Sequence, residues 1–157
     1  LDADGMMEYK QLKKYRFFAR IGMFSIVRED ARSAIRSLDY AVSRLQGTNR
    51  FLWMFPQGTL IHQDLPIVAE PGIGILVRKL GRVRILPLSI RYEMLRHKLP
   101  TCWARIGEPV ILEWGSSSTA KDISESVADA LTLVSSLNRI KAQNEDHSDY
   151  HNLFRNW

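Results

Sequence analysis

Phe51-Leu52-Trp53-Met54-Phe55-Pro56-Gln57-Gly58-Thr59 decides how the rest of the chain is read. An unbroken apolar run ends on Pro, Gln, Gly and Thr. Such a run, bounded by turn residues, suits a strand buried on both faces, as in a parallel sheet covered by helices. The turn after it projects polar side chains and backbone N–H groups from the strand's carboxyl end, where open α/β sheets place ligands. Gly58 lets the backbone come close to a substrate.

Working upstream, Ala31 to Leu45 carries Ala34, Ile35, Leu38, Ala41, Val42 and Leu45 at helical spacing, with Asp30 as N-cap and Gly47 as stop. Met23 to Val27 reads as a short strand leading to Arg28. Before it, Met6 to Arg20 mixes Met6, Met7, Leu12, Tyr15, Phe17 and Phe18 with Lys10, Lys13, Lys14, Arg16 and Arg20. That mixture predicts an amphipathic helix with a basic face, suited to a membrane surface.

Downstream, residues 56–71 read as a long loop and Gly72 to Leu80 as a short helix. Val83 to Ile90 reads as a strand in which Pro87 must sit at a bulge or an edge. Trp103 to Trp114 supplies further strand, interrupted at Gly107-Glu108-Pro109. Gly115 to Thr119 looks like a linker. Asp122 to Ala142 is an amphipathic helix with Ile123, Val127, Leu131, Val134, Leu137 and Ile140 on one stripe, followed by a polar tail. Alternating strands and helices predict an α/β fold with a mixed, largely parallel sheet flanked by helices. The expected division is a core over 1–114 and, over 115–157, the linker, helix and tail.

The 157 residues suffice for one sizeable core. No apolar run approaches a membrane span, and Leu1 in place of Met suggests a processed or truncated piece, with any targeting segment upstream. The net charge of +5 favours anionic partners: nucleic acid, anionic headgroups, or phosphorylated and acyl-carrier substrates. The single Cys102 excludes an internal disulfide, suits a reducing compartment, and reads as a packed strand thiol rather than a nucleophile. His147 and His151 stand at i, i+4, but no third ligand accompanies them, and a polar tail is the favoured reading.

Three segments together carry a resemblance. Gly22, Phe24 and Arg28 are followed by Phe55-Pro56-Gln57-Gly58-Thr59 and then by the apolar strand Ile85-Leu86-Pro87-Leu88. In that order, with a helix between the first two, they resemble the second, third and fourth sequence blocks of the glycerolipid acyltransferase family, which includes lysophosphatidic acid acyltransferases. The resemblance spans roughly Met6 to Glu113. It implies an O-acyltransferase that moves a fatty acyl group from acyl-CoA or acyl-carrier protein to a lipid hydroxyl. No bound cofactor, metal or nucleic acid is implied, and the expected location is peripheral, on the cytoplasmic face of a membrane. The substrate-binding candidates are Arg28, Pro56, Gln57, Gly58 and Thr59, with N–H groups around Gly58 a natural receiver for the oxyanion.

The departures are as informative. The family's first block, His-x-x-x-x-Asp, supplies the general base and the carboxylate that orients it. None precedes Gly22, so the chain reads as truncated before that block and without a catalytic residue of its own. His62, near Asp64, reads as a solvated loop histidine rather than a replacement base. Gln57 stands where the family has Glu, and Leu60 where it has Arg. Both changes weaken the case for a phosphate-bearing acceptor and open the way to an uncharged one, such as a sugar or another lipid hydroxyl. Arg28 remains as a phosphate contact. The alternative is a catalytically dead, membrane-associated interaction or assembly subunit; a basic nucleic-acid-binding domain is the weaker third reading.

Overall fold

In the computed structural model of the chain, residues 2–27, 29–95 and 98–151 are described. Strand β1 (Ala3–Glu8) lies between β2 (Met23–Ile26) and β3 (Phe51–Trp53), and both pairings are parallel. Between β1 and β2 come two short helices, α1 (Tyr9–Lys14) and α2 (Phe17–Arg20). Helix α3 (Ala31–Leu45) links β2 to β3, and α4 (Gly72–Leu80) follows the long loop. β4 (Arg82–Ile85) pairs with β7 (Val110–Glu113), while β5 (Leu88–Glu93) and β6 (Thr101–Ile106) form an antiparallel pair. Helix α5 (Ala120–Gln143) comes last. The architecture is mixed α/β with a small parallel sheet.

The chain divides into two units. The first comprises Leu1–Leu60, Val68–Val83 and Leu112–Glu125. Its core is Met6, Leu38, Ala41 and Leu76, with Phe24, Ile26, Val42, Leu52, Met54 and Ile75 packed against it. α3 forms as its pattern predicts: the Asp30 carboxylate accepts the Arg32 N–H at 3.1 Å, and Leu38 and Ala41 are buried. The Lys79 ammonium on α4 meets Asp39 on α3 at 2.7 Å.

The second unit comprises Ile61–Ile67, Arg84–Ile111 and Ser126–Trp157. Here Trp103 is buried under His147, stacked at 4.6 Å, and Tyr150, edge-on at 5.0 Å. The fully buried Asn138 amide donates to the Trp103 carbonyl at 3.0 Å, and its oxygen accepts the Tyr150 hydroxyl at 2.7 Å.

Several expectations are corrected. Met6 to Arg20 is not one amphipathic helix. Met6 and Met7 belong to β1, because pairing with β2 and burial of Met6 outweigh local helix preference. The remainder breaks into two helices around Tyr15 and Arg16. Phe51 to Phe55 is not buried on both faces: β3 is an edge strand, and Phe51, Trp53 and Phe55 are exposed. Leu52 and Met54, on the alternate face, pack on the core. The strand expected over Val83 to Ile90 is two strands separated by Leu86-Pro87, where the Pro87 carbonyl accepts the Gly107 N–H at 2.9 Å. Cys102 lies in β6 but is exposed rather than packed. On α5 the inward positions include Asn138 and Ala142, whereas Leu137 and Ile140 are exposed. The hydrogen bonds of Asn138 explain why a polar residue takes that place.

Candidate active site

Because β2, β1 and β3 are parallel, their carboxyl ends share one edge of the sheet. β2 brings Ile26 and Val27 there, and β3 brings the Phe55–Thr59 turn. With β1 between them, the two strands stand two inter-strand steps apart, roughly 10 Å. Two segments separated by a whole helix in sequence thus meet at the kind of edge where α/β sheets bind ligands. Arg28 lies outside the described residues.

The glycine of the second block has a geometric reason. Gly22 has φ +90, and a Cβ there would lie 2.7 Å from the Ala3 carbonyl oxygen. The Gly22 carbonyl accepts the Gly5 N–H at 3.1 Å, which sets the register of β2 on β1.

Pro56, Gln57, Gly58 and Thr59 form one contiguous turn. The Phe55 carbonyl accepts the Gly58 N–H at 3.0 Å, and Gly58 has φ +64. Pro56 pre-sets the second turn position and Gly58 supplies the left-handed one. Pro56 and Gln57 are half-buried, while Gly58 and Thr59 are exposed. The Pro56 carbonyl also accepts the Glu70 N–H at 2.8 Å, and the Glu70 carbonyl accepts the Ser124 hydroxyl at 3.2 Å. The turn is therefore held from behind. The Gly58 N–H is engaged in closing the turn.

Contacts that the sequence did not reveal also lie near these strands. Lys10 donates to Glu29 at 2.8 Å and lies 3.9 Å from Glu8, the last residue of β1. Hydrogen bonding to Glu29 raises the Lys10 pKa above its ordinary value. Beside β2 and α3 a shallow groove of about 340 Å³ is lined by Ser25, Ser33, Arg36 and Ser37. Neither grouping leaves a spacing signal in the sequence, since each depends on how β2 pairs.

His62 is an exposed loop residue. Its Nδ1 accepts the Asp64 N–H at 3.3 Å and stands 3.8 Å from Asp64 Oδ2. Helix α5 ends at Gln143, before His147, whose ring is stacked on Trp103. Among the described residues no group of three or more His, Cys, Asp or Glu could hold a metal, and no helix is long and apolar enough to cross a membrane.

Residues 9–91, more than half of the chain, match the family model described as Acyltransferase. That span takes in all three segments on which the resemblance rests. No curated protein and no solved structure matches the chain. The chemistry of the family is acyl transfer, from an acyl donor to an acceptor. Three ordered blocks, two of them brought to one edge of a parallel sheet, and a family match across them make this chain a member of the glycerolipid-type acyltransferase family.

Proposed function

We propose that the chain is the substrate-binding body of an O-acyltransferase that passes a fatty acyl group from an acyl thioester, acyl-CoA or acyl-carrier protein, to a lipid hydroxyl. The observation that carries this reading is the shared carboxyl edge of β2 and β3. Arg28, Pro56, Gln57, Gly58 and Thr59 are the residues assigned to it. In the reaction, the acceptor oxygen attacks the thioester carbonyl, the C–S bond breaks, and the hydroxyl proton ends on the departing thiol. A His-x-x-x-x-Asp block is needed to carry that proton, and this chain has none. Gln57 and Leu60 favour an uncharged acceptor over a phosphate-bearing one.

Peripheral attachment to the cytoplasmic membrane face belongs to the same proposal. Tyr15, Phe17 and Ile21 are exposed among Lys13, Lys14, Arg16 and Arg20, a mixture that suits an anionic interface. The alternative, a non-catalytic membrane-associated subunit, draws support from the exposed aromatics of β3.

Two proteins test the reading: this chain alone, and the chain extended by the coding sequence upstream of Leu1. Each is assayed with acyl-CoA and acyl-carrier protein against lysophospholipid and neutral glycosylated lipid. The expected result is no transfer by the chain alone and transfer by the extended form, with the neutral acceptor preferred. Robust transfer by the chain alone would refute the missing-base argument. An upstream sequence without His-x-x-x-x-Asp, and no transfer by either protein, would favour the subunit.

A further inference from the structure

Helix α5 presents Thr132, Ser135, Ser136 and Arg139 at i, i+3, i+4 and i+7, which puts them on one face. That face looks onto the loop Gln63–Ile67, and together they line a cavity of about 290 Å³ within the second unit. The cavity is open to solvent, and on the helix side it presents hydroxyls and a guanidinium.

The facing loop is fixed in place. Asp64 Oδ1 accepts from Arg91 Nη1 at 2.7 Å, and Arg91 is 5% exposed and also bonded to Glu93. The Gln63 amide donates to the Tyr92 carbonyl at 3.4 Å, and the Leu65 N–H to the His62 carbonyl at 3.0 Å. The Arg91 hydrogen bond lowers the Asp64 pKa from its ordinary value, and the nearby charge of Arg139 adds to the effect. Across the cavity, the Thr132 hydroxyl is bonded to the Ala128 carbonyl at 2.7 Å. The side chains of Ser135, Ser136 and Arg139 make no hydrogen bond or ion pair among the described residues.

Three features select the ligand. First, the two charged lining residues, Asp64 and Arg139, balance each other, so the walls carry no net charge to attract a phosphate, and a carboxylate stands on one of them. Second, the polar groups are mixed: Asp64 accepts, Arg139 donates, and the two serines do either. Third, the loop adds an apolar ledge at Leu65 and Pro66. At about 290 Å³ the volume sits at the bottom of the range for small-molecule pockets, room for one ring rather than an acyl chain or a nucleotide. We infer that this cavity is a binding site for a neutral polyhydroxy group, a single glycosyl or polyol unit. Its vicinal hydroxyls bridge Asp64 and Arg139, and its C–H face lies on the ledge. The site stands whether or not the chain transfers an acyl group.

The test is an amide NMR titration of the whole chain with methyl glucoside, with octyl glucoside below its micellar concentration, and with inorganic phosphate. Saturable shifts confined to residues 63–67 and 132–139 are expected with either glucoside and not with phosphate. Octyl glucoside binding more tightly than methyl glucoside would identify a lipid-borne sugar; equal binding would identify a free one. Arg139→Met should weaken the glucoside about tenfold, the loss expected from deleting one charge-assisted hydrogen bond. Ser136→Ala gives a second, smaller loss, and unchanged melting temperatures show that both variants fold. Binding of phosphate in preference to glucoside would overturn the inference. So would glucoside shifts that never saturate, or that persist unchanged in Arg139→Met.

Discussion

Replacing Asp4 by Asn should weaken the fold more than any surface change. Asp4 sits on the central strand β1, 5% exposed, and its carboxylate accepts three hydrogen bonds. Arg44, in the last turn of α3, donates from Nε and Nη2 at 3.1 Å each, and Arg50, just before β3, donates from Nη1 at 3.3 Å. One carboxylate thus ties together a central strand, the end of a helix and the entry to the strand that carries Phe55–Thr59. Asn keeps the volume and one acceptor oxygen but turns an amide N–H₂ toward a guanidinium. Losing two charge-assisted bonds would cost on the order of 3–6 kcal/mol with both arginines fully buried. The arginine side chains are 35% and 27% exposed, so water recovers part of that. About 3 kcal/mol is the expected loss, or roughly 1.5 M in urea midpoint for a slope near 2 kcal/mol per molar.

The pH dependence adds a second, independent check. Hydrogen bonding to Arg44 comes first among the causes that lower the Asp4 pKa; burial opposes it and Arg50 adds to it. A carboxyl group with a depressed folded pKa contributes stability that is fully present above its unfolded value, about 3.9. That stability is lost as pH falls through the folded pKa. The gap between wild type and Asp4→Asn should therefore stay constant from pH 8 to about 5 and narrow below about 4. Urea titrations across that range measure it. A loss under about 0.5 kcal/mol at pH 7, the size of an ordinary surface change, would refute the argument. So would a gap that stays the same width in acid.

Two smaller perturbations test other parts of the molecule. Gly58→Ala places a side chain at φ +64 and should cost about 1–2 kcal/mol, measured by urea denaturation, with its NMR shifts centred on the turn at residues 55–59. Tyr150→Phe removes the 2.7 Å hydrogen bond to the buried Asn138 oxygen and should cost about 1–2 kcal/mol, while the ring stays against Trp103 and preserves its fluorescence.

What the sequence made legible follows from which forces are local. The Asp30 cap, the periodicity of Ala31 to Leu45, the Gly72–Leu80 helix and the break at Gly107-Glu108-Pro109 are all set within a few residues, and each appears where the pattern puts it. The errors fall where pairing between distant residues decides. Asp4-Gly5-Met6-Met7 gives no strand alternation, yet β1 is the central strand, and Gly5 leaves room there for the Met23 side chain, which an added Cβ would overlap. A glycine that weakens a strand in isolation is here what lets two strands pack. Phe51 to Phe55 fails in the opposite direction. Its apolar run shows a strand, but only Leu52 and Met54 face the core, and nothing local distinguishes a central position from an edge.

The same distinction governs the candidate site. The first two of the three blocks were readable as motifs, because each has a glycine in the left-handed region: φ +90 at Gly22 and +64 at Gly58. That the blocks share one edge of the sheet was not readable, since it depends on β1 slotting between β2 and β3 in parallel register. Charge obeys the rule as well. Lys10 reads as one cation on a basic helix, yet its ammonium is paired with Glu29, 19 residues away. Asp4 leaves no signal at all until Arg44 and Arg50 close on it. Departures within a motif carry information of a different kind, because they need no partner to be meaningful. Leu60 in place of Arg has no charge to offer whatever the fold does, and it stands fully exposed directly after the turn. Gln57 and Thr59 offer this turn hydrogen-bonding groups without charge, so a phosphate held there would need a cation from elsewhere in the protein.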